Sequence, residues 1–173
     1  MIVARTSSPD ATRELAAALA ALLGPGDLLL LAGDLGAGKT AFVQGVAKAL
    51  GIDEPVTSPT FTLHRQYVGR LELNHLDVYR FTHVDEVLDV GLGELLDAPA
   101  VTCIEWGDKI VGTVPADFLE VRITLGEGDD DRVVEIRPIG SRWSARSRAL
   151  GEALGPWVDG GTAPGASEGA STC

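Results

Sequence analysis

The chain is short of cysteine, of positive charge and of long apolar runs, and each shortage closes off a class of function. Its two cysteines are Cys103, inside an apolar run, and Cys173 at the last position. They supply neither a disulfide framework nor a metal-ligand spacing, and Cys103 reads as a small buried hydrophobe. Lysine and arginine number 14 against 25 aspartates and glutamates, a formal net charge of −11. Such a surface repels a phosphate backbone, which excludes broad, direct contact with nucleic acid or an anionic membrane. No apolar run approaches the ~20 residues of a membrane span. Met1–Thr6 lacks the apolar stretch of a signal peptide, so a cytoplasmic location is expected.

What is present is more specific. With 173 residues, 45% of them hydrophobic, the chain is long enough for one globular domain with a proper core. Gly33-Asp34-Leu35-Gly36-Ala37-Gly38-Lys39-Thr40 has the spacing of a phosphate-binding P-loop. Ahead of it, Leu28-Leu29-Leu30-Leu31-Ala32 reads as a buried strand. Behind it, Val43, Val46, Ala47 and Leu50 fall at helical spacing, and Gly51 is a stop signal. The glycines let successive N–H groups turn inward toward phosphate oxygens, and the positive end of the following helix adds to that field. Lys39 is placed to reach the β- and γ-phosphates, and the Thr40 hydroxyl to ligate Mg²⁺.

Further along, Ser8-Pro9-Asp10 reads as a helix start. The helix carries Ala11, Leu15, Ala18, Leu19 and Leu22 on one face and stops at Gly24-Pro25-Gly26. From Thr60 to Asp77 the period changes to two, with Phe61, Leu63, Arg65 and Tyr67, then Leu71, Leu73 and His75. That predicts an antiparallel hairpin turning near Gly69. Val84 to Leu96 reads as helical with a break at Gly91-Leu92-Gly93, and Ala100–Ile104 as a second buried strand. Leu119, Val121, Ile123 and Leu125 alternate, as do Val134 and Ile136, predicting a C-terminal hairpin across the acidic loop from Gly126 to Asp131. A last helix is expected from about Ser144 to Leu154. Residues 155–173, rich in Gly, Ala, Ser, Thr and Pro, are expected to form a disordered tail on a domain of residues 1–154. The expected class is α/β, a P-loop NTPase-like single domain with a mixed parallel and antiparallel sheet flanked by helices.

Regulatory GTPases read guanine with an Asn-Lys-x-Asp element. The only asparagine here is Asn74, followed by His75, and no aspartate has a glycine three positions on. Both the guanine reader and the usual second switch are therefore missing. A small-molecule kinase needs arginines that clamp the transferred phosphoryl group. Arg142, Arg146 and Arg148 sit on the expected terminal helix and read as a solvated basic face. A nucleotide-gated binding module without significant hydrolysis is the other alternative.

Three segments decide among these. Ser58-Pro59-Thr60-Phe61 is a rigid turn at the place of a switch loop; Ser58 and Thr60 either contact the γ-phosphate or metal, or simply rigidify the turn. His75-Leu76-Asp77-Val78-Tyr79-Arg80 ends the first hairpin. Asp77 is suited to orient or deprotonate an attacking water, and alternatively to cap locally or pair with Arg80. His75 either tunes Asp77 or fills a strand face, and Tyr79 and Arg80 read as structural or partner-facing. Ile104-Glu105-Trp106 puts an acid at the C-terminal edge of a buried strand, where ligands of open α/β sheets bind. There Glu105 either joins Thr40 as a metal pair or is a strand-end carboxylate that is merely solvated. Trp106 packs beside the nucleotide, meets a partner or fills the core.

In this order, with Gly33–Thr40 ahead of them, these segments closely resemble the TsaE (YjeE) family, bacterial ATPases of the pathway that makes threonylcarbamoyladenosine in tRNA. The resemblance covers about residues 2 to 138 and ends before the tail. Ala41 stands where many members have a second Thr or Ser, but Thr40 already fills the metal-ligand position. The resemblance implies a Mg²⁺-dependent ATPase with Asp77, Glu105 and Lys39 as its catalytic set. It implies nucleotide contacts from Gly33 to Ala41, from Thr60 and from Trp106, and an adenine site near Asp10 and Thr12 with the Asp129–Arg132 loop closing over it. It also implies that ATP binding docks the protein on a complex of TsaD and TsaB and that hydrolysis resets it. The tRNA is then held through those partners, in keeping with the acidic charge.

Overall fold

The computed structural model describes residues 1–81 and 91–158. Ser8 opens helix α1 (Pro9–Ala20), its hydroxyl oxygen accepting the Ala11 N–H at 3.0 Å. The side chain thus satisfies a backbone donor that the first turn leaves open. Strand β2 (Leu28–Ala32) is buried at every position, as a strand covered on both faces must be. It leads through the glycine loop into α2 (Lys39–Ala49). The expected hairpin is β3 (His64–Tyr67) with β4 (Leu73–Asp77), paired antiparallel from His64↔Leu76 to Tyr67↔Leu73. Helix α3 (Leu92–Asp97) precedes β5 (Val101–Glu105), which runs into a 3₁₀ turn over Gly107–Thr113. The second hairpin is β6 (Phe118–Leu125) with β7 (Arg132–Ile139). Helices α4 (Ser141–Ala145) and α5 (Ser147–Leu154) close the domain.

With the first strand, β1 (Ile2–Thr6), seven strands form one mixed sheet in the order β1-β7-β6-β2-β5-β4-β3. The neighbours β6, β2, β5 and β4 are parallel, and antiparallel pairings with β7 and β3 lie outside them. The larger core lies between the sheet and α1, α2 and α5. It is filled by Leu15, Leu19, Leu29, Leu31, Phe42, Val46, Leu150 and Leu154. A smaller cluster around Leu28, Leu30, Leu76, Ile104, Ile110 and Phe118 covers the other face. Among the described residues no helix is long and apolar enough to cross a membrane.

The structure departs from the sequence expectations at several points. Ile2–Thr6 is a strand, stabilised by its register with β7, Ile2↔Ile136 to Thr6↔Arg132, rather than by local pattern. Phe61 and Leu63 precede β3 instead of belonging to it: Phe61 is exposed, and Leu63 adopts a left-handed φ of 67°. All five residues of β4 are buried, although the sequence alternates, because β4 lies inside the sheet between β3 and β5. The helix expected over 84–96 falls partly outside the described residues; its described part is α3. The expected terminal helix starts earlier and is broken at Arg146, where φ is −93° and ψ is 0°. Residues 155–158 are packed structure: Trp157 is buried and Val158 bridges to Ala4. The rest of the expected tail, 159–173, lies outside the described residues.

Of the expected solvated basic face, Arg148 is exposed and paired with Glu152, whereas Arg142 and Arg146 have inward partners. Both reach the buried Asp27 carboxylate, at 3.3 Å and 2.5 Å, clamping the C-terminal helices to the start of β2. That is the end of the strand opposite the glycine loop, so neither arginine is placed to clamp a phosphoryl group.

The tightest helix contact is α1 on α2. Gly45 lets them close, because a Cβ there would run into the Arg13 carbonyl and the Ala16 side chain. Replacing Gly45 by Ala is therefore expected to destabilise the domain by about 1–3 kcal/mol, read as a lower midpoint with unchanged slope in urea unfolding followed by circular dichroism.

Candidate nucleotide site

The loop after β2 is shaped by glycines at three points. Gly33 has φ 139° and sits so close to β6 that a Cβ would strike the Ile123 carbonyl. Gly36 and Gly38 have φ 79° and 109°, the left-handed region that side chains resist, and Gly38 caps α2. Lys39 is the first residue of that helix. Its ammonium donates to the carbonyls of Gly33 at 2.7 Å and Asp34 at 2.8 Å, and lies 3.8 Å from the centre of the Trp106 ring. Burial lowers its pKa, opposed by the negative charges of Glu105, Asp77, Asp108 and Asp34. Lys39 lines a cleft of about 340 Å³.

The two acids arrive from neighbouring parallel strands. Asp77 ends β4, Glu105 ends β5, and they are direct register partners. Both carboxylates are buried. The Asp77 Oδ2 accepts the hydroxyls of Ser58 and Thr60, each at 2.8 Å, while Oδ1 accepts the Tyr79 N–H at 2.9 Å. The Glu105 Oε1 accepts the Thr40 hydroxyl at 2.8 Å and lies 2.9 Å from His75 Nε2.

The cleft is lined by Leu35, Gly36, Gly38, Lys39, Thr40, Ala41, Ser58, Thr60, Asp77, Tyr79, Glu105 and Trp106. Most residues singled out in the sequence therefore meet there. Gly33 and Asp34 sit behind it and hold the lysine. Ala37 is buried, and its carbonyl accepts from Arg132 Nε at 2.9 Å. Arg132 also donates to the backbone of Asp129 and Asp131, at 2.8 Å each, and to Gly36 at 3.4 Å. It staples the loop to the β6–β7 hairpin. Thr12 stands outside the cleft lining: it is buried on α1, its hydroxyl 2.8 Å from that of Thr6 and donating to the Ser8 carbonyl. Asp10 is exposed and paired with Arg13 at 2.6 Å.

Two features were not legible in advance. His75 pairs with Glu105 rather than with Asp77, because the parallel register carries Glu105 alongside β4. Tyr79 lines the cleft and packs on Trp106, ring centroids 4.8 Å apart, with the Lys109 ammonium donating to the Tyr79 carbonyl at 2.6 Å. The signal available for that group was Lys109 three residues beyond a tryptophan that directly follows a strand-end acid. Trp106 itself holds a left-handed φ of 62°, the strained kind of backbone found where a side chain must face a site.

Among the described residues no group of three or more His, Cys, Asp or Glu side chains converges as a metal cage. A hydroxyl and one carboxylate 2.8 Å apart suit Mg²⁺, which takes few protein ligands and keeps waters and phosphate oxygens around it.

A glycine-formed loop between a buried strand and a helix, a lysine at the first helical turn and acids on the adjoining strand ends define a P-loop nucleotide-binding domain. The family model described as "Threonylcarbamoyl adenosine biosynthesis protein TsaE" matches residues 6–134, and the chain belongs to the TsaE family. The tRNA threonylcarbamoyladenosine biosynthesis protein TsaE of Bacillus subtilis (strain 168) is 43% identical over 140 residues, covering 80% of this chain and 87% of that protein. The protein of the same name from Streptomyces coelicolor is 39% identical over 139 residues, 76% of this chain and 93% of the relative. The crystal structure of Bacillus subtilis YdiB superposes with a TM-score of 0.75 at 36% identity, covering 88% of this chain and 97% of that one.

Arg132 holds the Ala37 carbonyl at 2.9 Å, and the Gly38 N–H of that same planar peptide unit points the opposite way. Arg132→Ala is expected to weaken nucleotide binding by roughly tenfold, the worth of one or two charge-assisted hydrogen bonds to a backbone. Calorimetric titration checks this, with a small loss of thermal stability alongside.

Proposed function

We propose that this protein is a Mg²⁺-dependent ATPase of tRNA threonylcarbamoyladenosine synthesis, acting in the cytoplasm with TsaD and TsaB and reaching tRNA only through them. The observation that carries the reading is the pairing of Asp77 with Glu105 at adjacent strand ends, across one cleft from Lys39 and Thr40. Lys39 exchanges the Gly33 and Asp34 carbonyls for β- and γ-phosphate oxygens. Thr40 and Glu105 would hold the cation, which would supply positive charge against that of the phosphates. Asp77 positions the attacking water and accepts its proton, since phosphoryl transfer asks for orientation more than covalent help. Trp106 covers the lysine side of the cleft. Arg132 supports the loop from behind.

The state of Asp77 bears on the rate. Its two oxygens accept from Ser58, Thr60 and the Tyr79 amide, which leaves acceptor capacity on Oδ1 and fixes how the carboxylate is aimed. Slow turnover in isolation and faster turnover with partners are expected, because a partner that rearranges the 58–60 turn re-aims the carboxylate.

Phosphate release from Mg·ATP, by the protein alone and with the TsaB–TsaD complex and tRNA, tests the reading. Strong stimulation by the complex is expected, with turnover reduced at least ~100-fold by Asp77→Ala while ATP still binds. Glu105→Ala is expected to abolish turnover and to weaken the effect of Mg²⁺ on ATP binding. Binding without hydrolysis would leave a nucleotide-gated module. Consumption of ATP only with an acceptor metabolite would indicate a kinase.

A further inference from the structure

His75 is a buried polar side chain behind the site that the proposed mechanism does not use. It lies in the middle of β4, fully buried, beside the apolar Cys103 in register and between Leu73 and Asp77 on the same face of the strand. Its Nε2 is 2.9 Å from Glu105 Oε1, and among the described residues its Nδ1 has no partner. A leucine would fill such a place without leaving a buried nitrogen unpaired, so packing does not account for an imidazole there. Asp77 does not account for it either, because its hydrogen bonds come from Ser58, Thr60 and the Tyr79 amide and that of His75 goes to Glu105.

The contacts of Glu105 give the reason. Oε1 is held from two sides, by the Thr40 hydroxyl and by His75, and no hydrogen bond among the described residues engages Oε2. One oxygen fixed at two points leaves the carboxylate little freedom to rotate. We infer that His75 is a positioning residue that orients Glu105 for the Thr40–Glu105 cation site; this rests on the Mg²⁺-dependent reading above. A carboxylate accepts only, so His75 Nε2 carries a proton and donates it to Glu105. The arrangement is the outer support that metal-site carboxylates and imidazoles commonly receive, and its loss typically costs ~10–100-fold in metal affinity.

The test compares the full chain with its His75→Leu and His75→Gln variants. Mg²⁺ is titrated into each in the presence of a fluorescent, non-hydrolysable ATP analogue, and thermal unfolding is followed without Mg²⁺. His75→Leu is expected to bind the analogue normally without Mg²⁺ and to unfold near the wild-type temperature. It should need ~10–100-fold more Mg²⁺ for its effect on binding. His75→Gln, whose amide nitrogen reaches the place of Nε2, should recover most of the Mg²⁺ response. A Leu variant that titrates like the wild type overturns the inference. A wild type whose analogue binding ignores Mg²⁺ overturns the ATPase reading first, and the inference with it. If the Leu variant does not fold, nitrogen-15 NMR of the wild-type imidazole decides. A proton on Nε2 whose resonance moves on adding Mg²⁺ with the analogue supports the assignment, and a proton on Nδ1 alone, or no movement, refutes it.

Discussion

Asp77 and Glu105 are side by side in the parallel pairing of β4 with β5, and both are withdrawn from water. Two like charges held there repel, and each has lost its hydration, so every neighbouring group is constrained to compensate them. The compensation is divided. Asp77 receives hydroxyls from the 58–60 turn and a backbone amide, while Glu105 receives Thr40 from the first turn of α2 and His75 from β4. Lys39 supplies a nearby positive charge that both acids feel, and burial in turn makes that charge costly to keep. The strand ends, the loop, the helix start and the turn are thus tied by one electrostatic requirement, which is why most of the site's residues converge within a single cleft.

The sheet serves that requirement. β2 lies between β5 and β6, so the glycine loop emerges in the middle of the parallel set with acids on one side and the β6–β7 hairpin on the other. Arg132 and the close approach of Gly33 to Ile123 brace the loop from the hairpin side. At the opposite end of β2, Asp27 is paired with Arg142 and Arg146. A buried pair of this kind is weak support for stability in itself. Its value here is one of place, since it ties the last helices to the strand that carries the loop.

Much of this was legible in the sequence, and the reason is local. The P-loop, the Ser8 cap, the Leu28–Ala32 strand and the 118–136 hairpin are each specified by residues close together in the chain, so spacing alone finds them. Glu105 was legible because an acid ending an apolar strand has a generic place in α/β sheets. What was not legible depends on pairing between distant segments. β1 exists through its register with β7, some 130 positions away. The burial of β4 on both faces, and with it the choice of Glu105 rather than Asp77 as the partner of His75, follows from the parallel neighbour β5, which no local pattern announces. Arg132 behind the loop and the two arginines on Asp27 are the same case: a basic residue gives no sign of which carbonyl or carboxylate, about a hundred residues away, it will meet.

The resting arrangement also explains how such a site stays quiet. Each group that chemistry would use is already satisfied by the protein: Lys39 by two carbonyls and an indole face, Thr40 by Glu105, Asp77 by two hydroxyls and an amide. A nucleotide can draw off Lys39 and Thr40 by itself, because phosphates are better partners for an ammonium than neutral carbonyls are. It offers Asp77 nothing comparable, since a carboxylate and a γ-phosphate repel. In the ATPase reading proposed above, binding and hydrolysis therefore have different thresholds: the first asks only for the nucleotide, the second for an Asp77 re-aimed through the 58–60 turn. That division is what a protein needs if it is to hold a nucleotide until a partner arrives and spend it only then.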